Sequence, residues 1–111
     1  MITTTHKTSK ALWDAGVRIE TELYWFDPDL PFDPYITTSN GSNKTPAPTF
    51  TELVEWLKGK WYALEMLVHY GEVIIYLEEK ESLVKMIKNV TNLTEAAAEC
   101  CMEVMRREGK K

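Results

Sequence analysis

Trp61-Tyr62-Ala63-Leu64-Glu65-Met66-Leu67-Val68-His69-Tyr70-Gly71-Glu72-Val73-Ile74-Ile75-Tyr76-Leu77-Glu78-Glu79 is the stretch on which the fold turns. Its first half admits two readings, since Leu64, Leu67 and Val68 fit a helical stripe as well as they fit a strand. Its second half is less ambiguous. Val73 to Leu77 are consecutive β-branched or large apolar residues, which suit a strand buried on both faces. Tyr70-Gly71-Glu72 supplies a turn between the runs. The pattern predicts a hairpin of 61–69 and 72–79. The alternative is an all-α bundle with helices across 51–70, 72–89 and 93–108.

Outward from this hairpin the signals are sharper. Thr49-Phe50-Thr51-Glu52 is a capping box, in which the Thr49 hydroxyl takes the Glu52 N–H and the Glu52 carboxylate reaches back to the Thr49 N–H. It starts a helix over 50–58 with Phe50, Leu53, Val54 and Leu57 on its buried stripe, Trp56 beside it, and Gly59 as the stop. Ser82 to Lys88 reads as a short helix or turn. A last helix over 93–107 is capped by Asn92, carries Glu95 at its third position and has high propensity at Ala96-Ala97-Ala98. Leu93, Ala97, Cys100 and Val104 form its buried row, widened by Ala96, Cys101 and Met105. Arg106 and Arg107 suit the negative end of the helix.

Toward the N-terminus, Thr8 or Ser9 caps a short helix over 9–15 that Gly16 stops. Two turns are not stable alone, so Leu12, with Ala11 or Ala15, must dock on the rest of the chain. Val17, Ile19, Thr21, Leu23 and Trp25 alternate with Arg18, Glu20, Glu22, Tyr24 and Phe26, the period of a strand with one solvated face. Prolines at 28, 31 and 34 end it by removing ladder donors. Tyr35 to Thr38 returns as a short strand. Residues 38–48 hold one apolar side chain, Ala47, and read as a flexible loop in which Asn40-Gly41 could turn. A short basic tail occupies 108–111. The expected fold is α+β, a single domain over 1–111. One small antiparallel sheet (19–26, 35–38, 61–69, 72–79) is packed by helices near 9–15, 50–58 and 93–107, so that each element hides one apolar face.

Composition bounds the function classes. The 111 residues are 44% hydrophobic, too apolar for wholesale disorder, and the net charge of −4 argues against a surface built to grip phosphates. Residues 1–60 carry 6 basic and 8 acidic groups and residues 61–111 carry 7 and 9, so neither half is a charged domain. No run approaches the ~18 apolar residues of a membrane span, and Met1 to Lys7 lacks the regions of a secretory signal, so the expectation is a cytoplasmic protein without membrane contact. In that setting the sequons at Asn40, Asn43, Asn89 and Asn92 are turn and cap chemistry.

Candidate chemistry is sparse. Cys100 and Cys101 are adjacent, point about 100° apart on a helix, and read as two free core thiols. Asp27, Asp29 and Asp33 are the one cluster of oxygen ligands, but prolines interrupt them and no glycine bends the loop as a calcium site requires. His6 and His69 with the two cysteines lack the spacing that seeds a zinc site. No glycine-rich phosphate loop occurs. The expectations are therefore no cofactor, no metal and no catalytic set. A metal-dependent hydrolase resting on Asp27, Asp29, Asp33 and His69 is the third reading. The second is nucleic-acid binding by Arg106 to Lys111 with Lys85 and Lys88.

The aromatic content points elsewhere. Four Trp and five Tyr are many for this length. Tyr24, Trp25 and Phe26 are consecutive, so on a strand at least one ring leaves the core side, and Trp61-Tyr62 repeats the pattern. An exposed aromatic patch is the composition favoured at interfaces. Base stacking on such a platform would need basic neighbours, and those of Tyr24 to Phe26 are acidic. The leading expectation is a non-enzymatic protein that binds another protein or itself as a homodimer, with Tyr24, Trp25, Phe26, Trp61 and Tyr62 as contact residues.

Three blocks carry a resemblance. Ala11-Leu12-Trp13-Asp14-Ala15-Gly16 followed by Glu20-Thr21-Glu22-Leu23-Tyr24-Trp25, then Ala47-Pro48-Thr49-Phe50-Thr51-Glu52-Leu53-Val54-Glu55-Trp56-Leu57, and finally Asn92-Leu93-Thr94-Glu95-Ala96-Ala97-Ala98-Glu99 resemble segments of small phage and prophage proteins of gut bacteria. The blocks cover roughly a third of the chain. The resemblance implies an accessory protein of phage type. It implies no activity and no site residues, because that group has none assigned.

Overall fold

The computed structural model describes residues 2–28, 33–38 and 44–109. Helix α1 spans His6–Ala15, one turn longer at its start than the sequence suggests, because Thr5 and not Thr8 or Ser9 is the N-cap and accepts from the Thr8 N–H. Gly16 ends it at φ 94, a conformation glycine reaches without steric cost. Of the docking candidates Leu12 is buried, while Ala11 and Ala15 are exposed.

The alternating segment after Gly16 is mostly not a strand. Only Tyr24–Phe26 (β1) pairs, with Tyr35–Thr37 (β2) on one side and Lys44–Pro46 (β3) on the other. Val17 is nonetheless buried, with its N–H on the Leu12 carbonyl at 2.9 Å. The inward residues of this segment pack against helices without strand partners. β3 lies inside the stretch read as a flexible loop, and Ala47 behind it is fully buried. Within that stretch residues 39–43, including the Asn40-Gly41 turn, lie outside the described residues, as do Lys110 and Lys111 of the basic tail.

Helix α2, Phe50–Gly59, starts with the expected capping box. Gly59 is its last helical residue, and the left-handed turn falls two residues later on Trp61 at φ 68. The hairpin follows as read: β4, Tyr62–His69, pairs antiparallel with β5, Glu72–Glu79, in unbroken register from Tyr62↔Glu79 to His69↔Glu72. Tyr70 and Gly71 both have positive φ, as a two-residue type I′ turn requires.

The segment read as a short helix or turn is a third strand, β6, Ser82–Ile87, paired with β5 and carrying a register shift opposite Leu77/Glu78. The architecture is α+β with two three-stranded antiparallel sheets, ordered β2-β1-β3 and β4-β5-β6, where a single sheet was expected. Helix α3, Leu93–Glu108, is capped by Asn92. It packs on α1 and α2 and closes the core, with Ala97, Cys100, Cys101 and Val104 wholly buried beside Leu53, Leu57, Ile75 and Leu77. Leu93 is the exception in its expected row, sitting exposed at the first position of the helix.

Candidate functional site

Among the described residues the acidic cluster brings no cation site together. The Asp27 carboxylate is taken by the Lys10 ammonium at 2.7 Å, which holds its carboxyl below the ordinary carboxylate range, with His6 Nε2 at 3.7 Å. Asp29 lies outside the described residues. Among the described residues no group of three or more His, Cys, Asp or Glu is placed to hold a metal. His69 ends β4, far along the chain from this cluster, and its ring meets Tyr70 edge-on at 4.2 Å.

Both cysteines are buried free thiols in α3. Desolvation pushes the Cys100 thiol up to about 12. Cys101 is raised as well, first by burial and then by its neighbour, and it donates to the Leu53 carbonyl at 3.7 Å. A nucleophilic cysteine needs the opposite environment, polarised and accessible.

An open cleft of ≈ 730 Å³ lies between the 20–23 segment and the start of α2. Its acid lining is Glu20, Glu22 and Glu52. Glu52 is already committed, accepting from the Thr49 N–H at 2.9 Å and the Thr21 hydroxyl at 2.8 Å. It pins the extended segment to the helix start.

Among the described residues of the basic end, Arg106, Arg107 and Lys85 lie beside acids. Arg107 is raised in pKa by the Tyr62 hydroxyl beside it and has Glu79 at 3.7 Å. Arg106 bonds Glu103, one turn away in the helix. Lys85 lies 3.6 Å from Glu99 and Lys60 3.7 Å from Glu108. A phosphate-tracking surface needs cations not already neutralised by the protein's own carboxylates.

The expected aromatic residues separate into three kinds. Tyr24, Trp25 and Phe26 are half-buried on β1. Trp25 donates its indole N–H to the Thr4 carbonyl at 2.8 Å and stands edge-on to His6, while Phe26 packs on Tyr35. These rings tie the N-terminus to the small sheet. Tyr62, named from sequence as a contact residue, is a core residue at 8% exposure, because it is the inward member of the first β4 pair. Trp61 is 86% exposed, and its ring stands in solvent beside β4.

The larger sheet holds what sequence reasoning passed over. One face, with Tyr62, Leu64, Ile75 and Leu77, lies against the helices. On the other, Leu67 pairs with Ile74 and Tyr76 with Met86, and Leu67, Met86 and Leu83 are exposed. The far end of the hairpin reaches beyond the helices, so Met66 (56%), Leu67 (46%) and Val68 (63%) are open on both faces, and Tyr70 at the turn is 96% exposed. Val73 to Leu77 is thus buried on one face only, through Ile75 and Leu77. A signal for this existed. Met66-Leu67-Val68 are three consecutive large apolar residues on a strand, and consecutive residues cannot all face one core.

Comparison of the chain with protein-family models, with curated proteins and with solved structures finds no match in any of the three. No described helix is long and apolar enough to cross a membrane.

Proposed function

We propose that the protein is a non-enzymatic interaction module that works by protein contact through the open side and free end of the β4–β5–β6 sheet. One observation carries this reading: an ordered strand displays Met66, Leu67 and Val68 to solvent on both of its faces, with Trp61 and Tyr70 standing out at its two ends. Single exposed apolar residues are ordinary, but a contiguous set on one element marks a contact surface. The accessory role of phage or prophage type, suggested by the sequence blocks at 11–25, 47–57 and 92–99, belongs to the same proposal.

The test compares the wild type with Leu67→Lys, which places a charge at the centre of the surface without touching the core. Light scattering at several concentrations reads self-association, and retention of proteins from a host lysate reads other partners. The wild type is expected to associate with itself or to retain a protein that the variant does not. Identical behaviour of the two proteins in both measurements refutes the reading.

A further inference from the structure

The two edges of the β4–β5–β6 sheet are built differently. β6 carries the usual protections of a free edge, a register shift and a lysine, Lys85, with Lys88 just beyond. β4 has neither. Its eight residues run in unbroken register with β5, contain no lysine and no proline, and no described strand pairs with its other side. A long, regular, apolar edge of this kind is a template for another strand.

Exposure decides between pairing along the edge and packing on the face. A partner lying on the open face would cover Leu67 and leave Met66 and Val68, which point the other way, in water. A strand added to the edge covers all three, because each side chain gains a cross-strand neighbour on its own face. The backbone agrees. His69 and Glu72 close a two-residue hairpin and so form a hydrogen-bonded pair, which turns every second residue counted back from His69 toward β5. The N–H and C=O groups of Leu64, Met66 and Val68 therefore face outward.

A second copy of the chain supplies a strand that fits. Antiparallel pairing about a two-fold axis keeps odd residues opposite odd residues, which leaves few registers. Centred on Glu65, the two carboxylates would face each other. Centred on Met66, each Glu65 would face a leucine. Centred on Leu67, each Glu65 faces an imidazole that can donate to it, Met66 meets Val68, and the outward backbone groups of Met66 and Val68 pair. We infer that two copies of the chain pair antiparallel along β4 about a two-fold axis at Leu67, setting Glu65 of each copy opposite His69 of the other. This rests on the protein-contact reading above and names its partner. The joined element is a six-stranded sheet, β6-β5-β4-β4-β5-β6. The interface is small beside the roughly 800 Å² per partner of a standard complex, so the dimer dissociates on dilution.

Sedimentation equilibrium from micromolar to near-millimolar protein should show a monomer–dimer exchange. Leu67→Cys places two thiols on the axis in a non-hydrogen-bonded pair, where Cα atoms lie about 4.5 Å apart, within disulfide range. It should form a reductant-sensitive covalent dimer on air oxidation. Met66→Cys, offset from its own copy, and the wild type, whose two cysteines are buried, should not. Glu65→Lys should weaken association about tenfold, since the symmetric dimer contains that pair twice. A wild type that stays monomeric throughout, or cross-linking through Met66→Cys in preference to Leu67→Cys, overturns the inference. If the wild type is monomeric yet retains a host protein that Leu67→Lys loses, self-pairing fails and the contact reading stands. If neither is seen, both fail.

Discussion

The burial of α3 can be read through its two thiols. Cys100 and Cys101 are fully buried, and desolvation, which disfavours the thiolate, moves the Cys100 thiol from 9.0 to about 12 and Cys101 in the same direction. In the unfolded chain both are released to the ordinary value. Above about pH 9 the unfolded state loses protons that the native state keeps, so stability falls with rising pH until the native value is reached. Below about pH 9 the contribution is fully present. At about pH 10.5 Cys100 lies about 1.5 pH units past its unfolded value, a loss of about 2 kcal/mol. A second thiol shifted in the same sense brings the loss to about 4 kcal/mol, a large share of the 5–15 kcal/mol typical of a domain. The assay is the urea midpoint near pH 8 and near pH 10.5 for the wild type and for Cys100→Ala/Cys101→Ala. The variant starts lower, by about 1 kcal/mol per deleted sulfur, but it should keep most of what it has across the window. Any slope that remains is common to both proteins. Equal losses in the two proteins would refute the reasoning, for the thiols would then not be held neutral by the core.

Three further substitutions probe the joints of the fold. Glu81→Gly should stabilise by about 0.5–1 kcal/mol, seen as a melting temperature a few degrees higher, because Glu81 holds φ 67 in a turn where glycine avoids a left-handed penalty of about 1–2 kcal/mol at some cost in unfolded-chain entropy. Glu52→Ala should cost about 2 kcal/mol in chemical denaturation, since it removes both the reciprocal half of the α2 cap and the acceptor for Thr21; a loss below about 0.5 kcal/mol would remove Glu52 from that role. Gly16→Ala should destabilise by at least about 1–2 kcal/mol in the same assay, because φ is +94 there and a Cβ would stand 3.0 Å from the Met105 methyl.

What could be read from sequence was whatever local chemistry determines alone. The Thr49/Glu52 box, the Asn92 cap, the Gly16 stop and the Tyr70-Gly71 turn each need only neighbouring residues, and each is where the sequence put it. The segment Val17 to Leu23 shows the limit of periodicity. Alternation reports that one side is dry, and Val17 and Ile19 are indeed packed on the core, but a strand also needs a run of ladder pairs, and in this segment these begin only at Tyr24. β6 failed for a more specific reason. Its core-packed residues Val84 and Ile87 are three apart, a helical interval, because Val84 is itself the unpaired residue of the register shift, between Leu83 opposite Glu78 and Lys85 opposite Leu77. A bulge hides a period of two behind a period near three and a half. Trp61 and Tyr62 read alike as an aromatic pair but part in the structure, Trp61 into solvent and Tyr62 into the core, because successive positions at a strand start face opposite ways.

Trp61 brings these threads together. It follows α2 at the point where a left-handed residue must turn the chain into β4, and its N–H closes the helix on the Lys58 carbonyl at 3.0 Å. Glycine would adopt that conformation freely, whereas a tryptophan held there stores about 1–3 kcal/mol of strain. Packing does not offset it, since the ring is almost wholly in solvent. Tyr70 repeats the arrangement at the other end of β4, with φ 50 and a ring more exposed still. Both ends of β4, an edge with neither a lysine nor a register shift, therefore carry large rings in backbone positions that disfavour any side chain. Within a single chain Tyr70 gains an edge-on contact with the His69 ring, yet its own ring stays almost wholly in solvent. A second strand lying along β4 would reward that placement, because it brings a surface within reach of rings that the monomer leaves uncovered.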